Sequence, residues 1–468
     1  MPSEGLQKEF SEFIMDRGRQ VSILTIKSER YHFNNICKFL RKSENHVNSL
    51  AERDSDQWLR KLKGWMLQNG FRLSKKKINA YGNRTTERSA LTRYFDRVLR
   101  YTAPPDERTE TEKDIWRLDK LGIEFRKLPI RNTQTLNFTK ILQDDIRNQV
   151  KKATWFHMKY EAIDTIKREL TVMRQFSAYL DKEHQEVISC EDIDRNLIEE
   201  YLIYRKVEQQ SGHGLTDDII KLRNVLETVG KLYNYSHLEK LFLNTDFPPV
   251  RKSEFKSYSD EEMKRLNEAI VKMEEQIARC MIIHQMLGTR ISDTLTLQQD
   301  CLYKENRQDM IRIFQPKTRM YVKPVSSELA QLIRKAIEHT VQKYGKRKYI
   351  FVDEKDPDKP LQYNTIQWKV LTLIWNEKLK DDNGKLFGFG SHLYRHYYGV
   401  KLTEMHLDDW TIAKLLGHKD IRSVLYYRKM SNQRMADDTR EYRNYLSQII
   451  LDNLDGWGEE YEQIRQND

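Results

Sequence analysis

Cysteine is scarce in this chain. Its four cysteines, Cys37, Cys190, Cys280 and Cys301, lie far apart, with no C-x-x-C pair among them. That spacing supports neither a thiolate zinc site nor a disulfide framework, and it fits reduced, partly buried thiols of an intracellular protein. Long apolar runs are missing as well. The opening MPSEGLQKEFSEF has no hydrophobic signal core, and no stretch approaches the length of a membrane span, so a soluble protein away from membranes is expected. No short glycine-turned pair of helices stands out either, which makes a helix-turn-helix regulator a poor fit.

What is present is length, folded-domain hydrophobicity and positive charge. The chain has 468 residues, 38% of them hydrophobic and 32% charged, with a net charge of +11. That length is too great for one ordinary core, so two or three domains are expected. The charge favours a polyanionic partner, of which nucleic acid is the commonest.

Taken in order, residues 1–110 form a basic helical domain. Tyr31, Phe33, Ile36, Phe39 and Leu40 recur at helical spacing, as do Trp58, Leu59, Leu62, Trp65 and Met66. A dense basic stretch follows, with Lys75, Lys76, Lys77, Arg84, Arg88, Arg93, Arg97 and Arg100. The last four fall at roughly helical spacing beside Leu91, Phe95 and Leu99, as expected of a helix laid along DNA phosphates. Pro104 and Pro105 end this block. Residues 111–150 form a charged connector of little periodicity, in which Ile123–Ile130 reads as a short strand or docking segment.

Residues 151–245 form a second helical domain. Its stripes are Leu170, Met173, Phe176, Tyr179 and Leu180, then Ile198, Tyr201, Leu202 and Tyr204. A further helix starts at Thr216-Asp217-Asp218 and runs through Leu222, Val225, Val229 and Leu232. A weak internal echo links the two domains. Glu29, Phe33, Ile36, Phe39, Leu40 and Lys42 match Glu169, Met173, Phe176, Tyr179, Leu180 and Lys182 at one constant offset. Val98, Leu99 and Tyr101 would pair with Leu232, Tyr233 and Tyr235, which suggests two DNA-clamping modules in tandem. Residues 246–257, with Pro248, Pro249 and the basic Arg251 and Lys252, make a linker. Ser259 then caps a helix with acids in its first turn.

The chemistry concentrates after that linker. Arg290 lies in LGTRISDTLTL. His392 and Arg395 stand in an H-x-x-R spacing, one helical turn apart and on one face. His418 ends LLGH, and Tyr427 follows nine residues later. Each piece alone has a plain explanation, as a solvated face, a helix cap or a core aromatic. Their order and spacing together point to phosphodiester cleavage without a metal, and the acidic residues nearby are too few to form a metal cage. Guanidinium groups offer a permanent positive fork for the extra charge of a pentacovalent phosphate. A histidine near neutral pKa can take and return a proton. Lys317 sits between two β-prone stretches, in the turn of a hairpin.

Roughly residues 155–435 resemble the tyrosine recombinases, the family of phage and transposon integrases. The resemblance implies a mainly α fold with a small β-sheet: helical N-terminal DNA-binding domains, then an α+β catalytic domain over 258–435. It implies Tyr427 as nucleophile, forming a 3′-phosphotyrosyl link, with Tyr426 as the rival. Arg290, Arg395 and His418 would hold the scissile phosphate, and His392 would act as general base. Lys317 would protonate the leaving 5′-oxygen, with Lys323 as the alternative, and Asp293 would orient its neighbours. No cofactor and no metal are implied. The partners implied are double-stranded DNA, further copies in a tetramer on synapsed DNA, and accessory element-encoded or host proteins. The setting would be the cytoplasm of a prokaryote, on nucleoid or mobile-element DNA. In residues 436–468, Tyr442, Tyr445, Leu446, Ile449, Ile450 and Leu454 make an apolar stripe that a neighbouring subunit could accept. A type IB topoisomerase and a catalytically idle DNA-binding accessory protein are the competing readings.

Overall fold

The computed structural model describes residues 1–78, 84–104, 106–208, 214–247, 256–315, 320–425 and 427–428. Lys317, Arg251, Lys252, Tyr426 and the tail from residue 429 onward lie outside the described residues. The chain divides into two compact units, Met1–Thr109 and Glu110–Asp468.

The first unit holds helices α1 (Glu4–Gln20), α2 (Ile23–Ser43), α3 (Ser55–Gln68) and α4 (Ala90–Thr102). Ser3, Ser22, Asp54 and Ser89 cap them, each side chain accepting a backbone N–H of the first turn. Phe10, Phe39, Trp58 and Phe95 dominate its core. Between α3 and α4 lies an antiparallel hairpin, β1 (Ser74–Ile78) with β2 (Arg84–Arg88). This corrects the expected basic helix. Arg84 and Arg88 stand on a strand, and only Arg93, Arg97 and Arg100 share α4. The hairpin residues from Lys75 to Lys77 and from Arg84 to Thr86 are exposed, so no apolar period marks the segment as a strand.

The second unit begins with a strap. Strands β3 (Ile115–Arg117) and β4 (Thr135–Asn137) pair antiparallel. Trp116, Leu136, Phe138 and Ile141 are buried among four helices: α5 (Asp144–His157), α6 (Ile163–Glu183), α7 (Arg195–Glu208) and α8 (Leu215–Tyr233). Between the two strands, Ile130 is buried in a second core farther along the chain. There its carbonyl accepts from Tyr363 N–H at 3.1 Å. The segment read as a connector therefore fills two cores, and α5 begins inside it. Ile123–Ile130 docks as expected, although it forms no strand.

The internal echo has a structural counterpart. Helices α1, α2 and α3 start at residues 4, 23 and 55, and α5, α6 and α7 start 140 positions later, at 144, 163 and 195. The short 3₁₀ turn Leu50–Glu52 recurs as Cys190–Asp192, each closed by a serine capping box. Glu9 accepts from Leu50 N–H at 3.0 Å and from the Ser49 hydroxyl. At the same offset, Gln149 accepts from Cys190 N–H at 2.9 Å and donates to Ser189 Oγ. Glu29 is paired with Arg17 at 3.1 Å, and Glu169 with His157 at 2.8 Å, again 140 apart. For the last helix the expected pairing changes. Leu91, Tyr94, Phe95 and Val98 of α4 are buried as Leu222, Val225, Leu226 and Val229 of α8 are, an offset of 131. Tyr101 and Tyr235 are thus not equivalent.

The rest of the second unit comprises α9 (Asp260–Ile270), α10 (Glu275–Leu287), α11 (Ile291–Leu295), β5 (Leu302–Glu305), β6 (Gln308–Phe314), β7 (Met320–Pro324), α12 (Ser327–Tyr344), α13 (Tyr363–Asn376), α14 (Ser391–Glu404) and α15 (Asp409–Leu416). Ser259 caps α9 in a capping box with Glu262. The three strands form one antiparallel sheet in the order β5-β6-β7. Ile311 and Ile313 of β6 face the core, and their partners Lys323 and Tyr321 occupy the corresponding inward positions of β7. The fold is mainly helical with small antiparallel sheets. No helix among the described residues is long and apolar enough to cross a membrane.

Candidate active site

Arg395 is the centre of the site. It is fully buried on α14, where a guanidinium without partners would be very costly. Its partners are the carbonyl ends of two helices. Nη1 donates to Gly288 O, past the end of α10, at 3.0 Å, and Nη2 donates to Leu416 O, at the end of α15, at 2.7 Å. Gly288 and Gly417 end these helices in the left-handed conformation, leaving last-turn carbonyls that need donors. The negative poles of both helix dipoles thus converge on one cation. Lys323 does the same for Leu287 O and lies 5.2 Å from the Tyr398 ring. Burial, and then the charge of Arg395, pull its pKa down to about 7. The alternative lysine is thus buried, with its ammonium on the carbonyl end of α10. Lys317 lies outside the described residues, which stop at Gln315 and resume at Met320.

His418 and Tyr427 follow from this anchor. Arg395 Nη2 lies 3.1 Å from His418 Nε2, and Tyr427 Oη lies 3.3 Å from the same nitrogen. A guanidinium can only donate, so Nε2 is the acceptor and the ring proton sits on Nδ1. Burial first, then Arg395, Arg290 and His392, hold the His418 pKa down to about 3. The imidazole is neutral, with its lone pair turned to two donors. Tyr427 is buried beside Leu402, Ile412, Leu416 and Val424. Burial raises its pKa, while Arg395 and Arg290 pull the other way. Its ring lies on Gly399 of α14, so closely that a Cβ there would stand 2.8 Å from Cδ1.

Arg290 occupies the N-cap position of α11, and its Nη1 lies 3.9 Å from Asp293 Oδ2. Asp293 is buried, accepts from Ser292 Oγ at 3.0 Å, and has its pKa raised by burial against the pull of Arg290. Arg290 Nη1 and Arg395 Nε are both buried with no hydrogen-bond partner among the described residues. His392 is one turn before Arg395 on α14, with its ring edge-on to His396 at 4.6 Å. Part of its surface is open to solvent. Desolvation of the rest, then His396, Arg395 and Arg290, pull its pKa down to about 4. Below α14, buried His284 bonds Thr294 Oγ1 at 2.9 Å and the Ser391 carbonyl at 3.0 Å, tying α10, α11 and α14 together.

The structure therefore brings Arg290, Asp293, His392, Arg395, His418 and Tyr427 into one cluster. Gly399, His396 and Tyr321 were not among the expected site residues. Gly399 left no signal in the chain, because its importance depends on a ring 28 positions later. Among the described residues no group of three His, Cys, Asp or Glu is placed to hold a metal ion.

Cations gathered over a buried tyrosine, with a neutral histidine at its hydroxyl, are groups suited to an enzyme that transfers DNA strands through a protein tyrosine. Residues 256–434 match the phage integrase family; the protein is a tyrosine-type site-specific recombinase. Transposase B from transposon Tn554 of Staphylococcus aureus is 20% identical over 431 residues, covering 90% of this chain and 68% of that protein. Transposase B from transposon PsiTn554 of the same species matches with the same identity and coverage. Among solved structures, the XerH site-specific recombinase in a post-cleavage complex with palindromic difH DNA is 16% identical. That match covers 65% of this chain and 92% of the other, with a TM-score of 0.49.

Proposed function

We propose that the protein cuts and rejoins duplex DNA at the ends of a mobile element, through Tyr427. The observation that carries this reading is the buried Tyr427 hydroxyl on His418 Nε2, beside two guanidinium groups that each keep an N–H donor unsatisfied among the described residues. A scissile phosphate would satisfy those donors. Arg290 and Arg395 bind its nonbridging oxygens, and His418 donates a hydrogen bond to it once the ring proton has moved from Nδ1 to Nε2. Tyr427 Oη attacks phosphorus, the bond to the 5′-oxygen breaks, and His392 takes the phenolic proton. His418 is the resting partner of the hydroxyl until the phosphate arrives. Lys317, between β6 and β7 in sequence, supplies the proton to the leaving 5′-oxygen. The phosphotyrosyl bond keeps the phosphodiester energy, so rejoining runs by reversal and needs no nucleotide. Asp293 holds Arg290 without entering the chemistry.

A transposon as the element is supported by the two staphylococcal relatives, each described as a transposase. Exchange between two duplexes requires four cut strands, hence four copies of the site, and a tetramer on synapsed DNA follows. The apolar stripe Tyr442–Leu454 is the segment exchanged between neighbours in that ring. Accessory proteins select and order the sites, and the enzyme works in the cytoplasm on the nucleoid. The test is trapping on a nicked suicide duplex taken from the element ends. Tyr427→Phe retains DNA binding and forms no covalent adduct. An adduct that persists in Tyr427→Phe and disappears in Tyr426→Phe overturns the assignment.

A further inference from the structure

The first unit repeats the four-helix module of the second, with an equivalent serine capping box on its short 3₁₀ turn, equivalent hydrogen bonds and an equivalent acid–base pair. A shared fold alone does not specify a shared task, so the difference between the copies matters more. The offset falls from 140 to 131 between the third and fourth helices. Nine extra residues in the first copy fall there, and that connection carries β1 and β2. This is also where the charge of the whole chain is concentrated. Residues 60–100 hold twelve Lys and Arg against two Asp and Glu, a net +10, while the complete sequence has +11.

The hairpin sorts its charges by face. Ser74 pairs with Arg88, Lys76 with Thr86 and Ile78 with Arg84, which puts Lys76, Arg84 and Arg88 on one side. On the other side Lys75 stands opposite Glu87, and Lys77 reaches the same Glu87 at 3.5 Å. Lys76, Arg84 and Arg88 are exposed and make no ion pair with a described residue. Three cations on one face of a ribbon, with no acid among them, fit a row of phosphates.

We infer that residues 1–109 are a second, duplicated clamp module that holds its own stretch of duplex DNA by the phosphate backbone, through the Lys76–Arg84–Arg88 face. This goes beyond the catalytic reading: it gives the protein a DNA contact separate from the one where Tyr427 acts, so that its footprint is longer than the catalytic site needs. The inference rests on the proposal that the chain acts on DNA.

The test uses the full chain carrying Lys76→Ala, Arg84→Ala and Arg88→Ala together. Binding to a mixed-sequence duplex of about 40 base pairs is titrated against salt. Loss of three phosphate contacts lowers the slope of log K on log[salt] by about 2.7. Between about 50 and 200 mM salt the wild type then loses about forty-fold more affinity than the variant. Adduct formation by the variant on a short nicked core duplex stays at the wild-type rate. The charge-conserving variant Lys76→Arg, Arg84→Lys, Arg88→Lys keeps the wild-type slope. A wild-type slope in the alanine variant overturns the inference, and so does a reduced slope in the charge-conserving variant, which would trace the effect to folding. Absence of any duplex binding by the wild type would instead overturn the reading of the chain as a DNA-acting enzyme.

Discussion

Gly399→Ala isolates the positioning of the nucleophile from the groups that react. In the middle of a helix, alanine is favoured over glycine by about 1 kcal/mol, so α14 itself gains. The new methyl, however, would stand 2.8 to 2.9 Å from three ring carbons of Tyr427. Carbon atoms at rest sit about 3.5 Å apart or more, so the ring or the helix must yield by about 0.7 Å. Overpacking of this kind costs about 1–3 kcal/mol, which leaves a net loss of about 0–2 kcal/mol and a modest fall in Tm. Catalysis suffers more. The Tyr427 hydroxyl already lies 3.3 Å from His418, at the long end of a hydrogen bond, and α14 also carries His392 and Arg395. A misplacement approaching 1 Å costs about 10²-fold in rate. Single-turnover adduct formation on a nicked duplex should therefore slow by about 30- to 100-fold, with DNA binding unchanged by anisotropy. Wild-type cleavage by a folded Gly399→Ala protein would refute the packing argument.

Arg395→Lys should abolish adduct formation and also lower Tm. Lysine cannot span Gly288 O and Leu416 O, and each carbonyl left bare costs about 1–3 kcal/mol; an unchanged melting curve would refute the bridging role. The pH profile follows from the two depressed histidines. With pKa values pulled down to about 4 for His392 and about 3 for His418, both rings are already neutral at pH 7. The basic form is lost only as pH falls through those values. The second-order rate of adduct formation, which reports the free enzyme, should stay flat on its acid side down to about pH 5. A midpoint near an ordinary histidine value would contradict the desolvated site. Cleavage by a preassembled complex should continue in excess EDTA without nucleotide, and activity restored only by magnesium would remove the metal-free chemistry.

Order and spacing made the candidate cluster legible. Arg290, His392, Arg395, His418 and Tyr427 are far apart in the chain, yet their intervals pointed to one site, and the structure assembles them. The apolar stripes of α2, α3, α6 and α8 were equally readable, because a buried helix face repeats every three to four residues. The β1–β2 hairpin was not. A surface ribbon of lysine, arginine and threonine has no apolar period, so its arginines passed for a helical stripe. The inward position of Lys323 was also hidden, since a lysine flanked by valine and proline reads as solvated until β6 is laid beside it. The strap was obscured for a third reason. Trp116, Ile130, Phe138 and Ile141 bury themselves against partners distant in sequence, at spacings that match neither a helix nor a strand.

That strap decides where the protein can be cut. A fragment begun at residue 151, where the first obvious apolar helix stripe of the second unit approaches, would discard Trp116, Leu136, Phe138 and Ile141 from the helical core. It would also discard Ile130 from the core beneath the active site. Each loss removes a side chain whose burial is worth about 1.5–3 kcal/mol, and five such losses exceed much of what a domain of this size has in reserve. Such a fragment would be lost to aggregation, and its inactivity would say nothing about catalysis. A shortened enzyme that keeps both cores filled must begin near Glu110, the boundary at which the first unit ends.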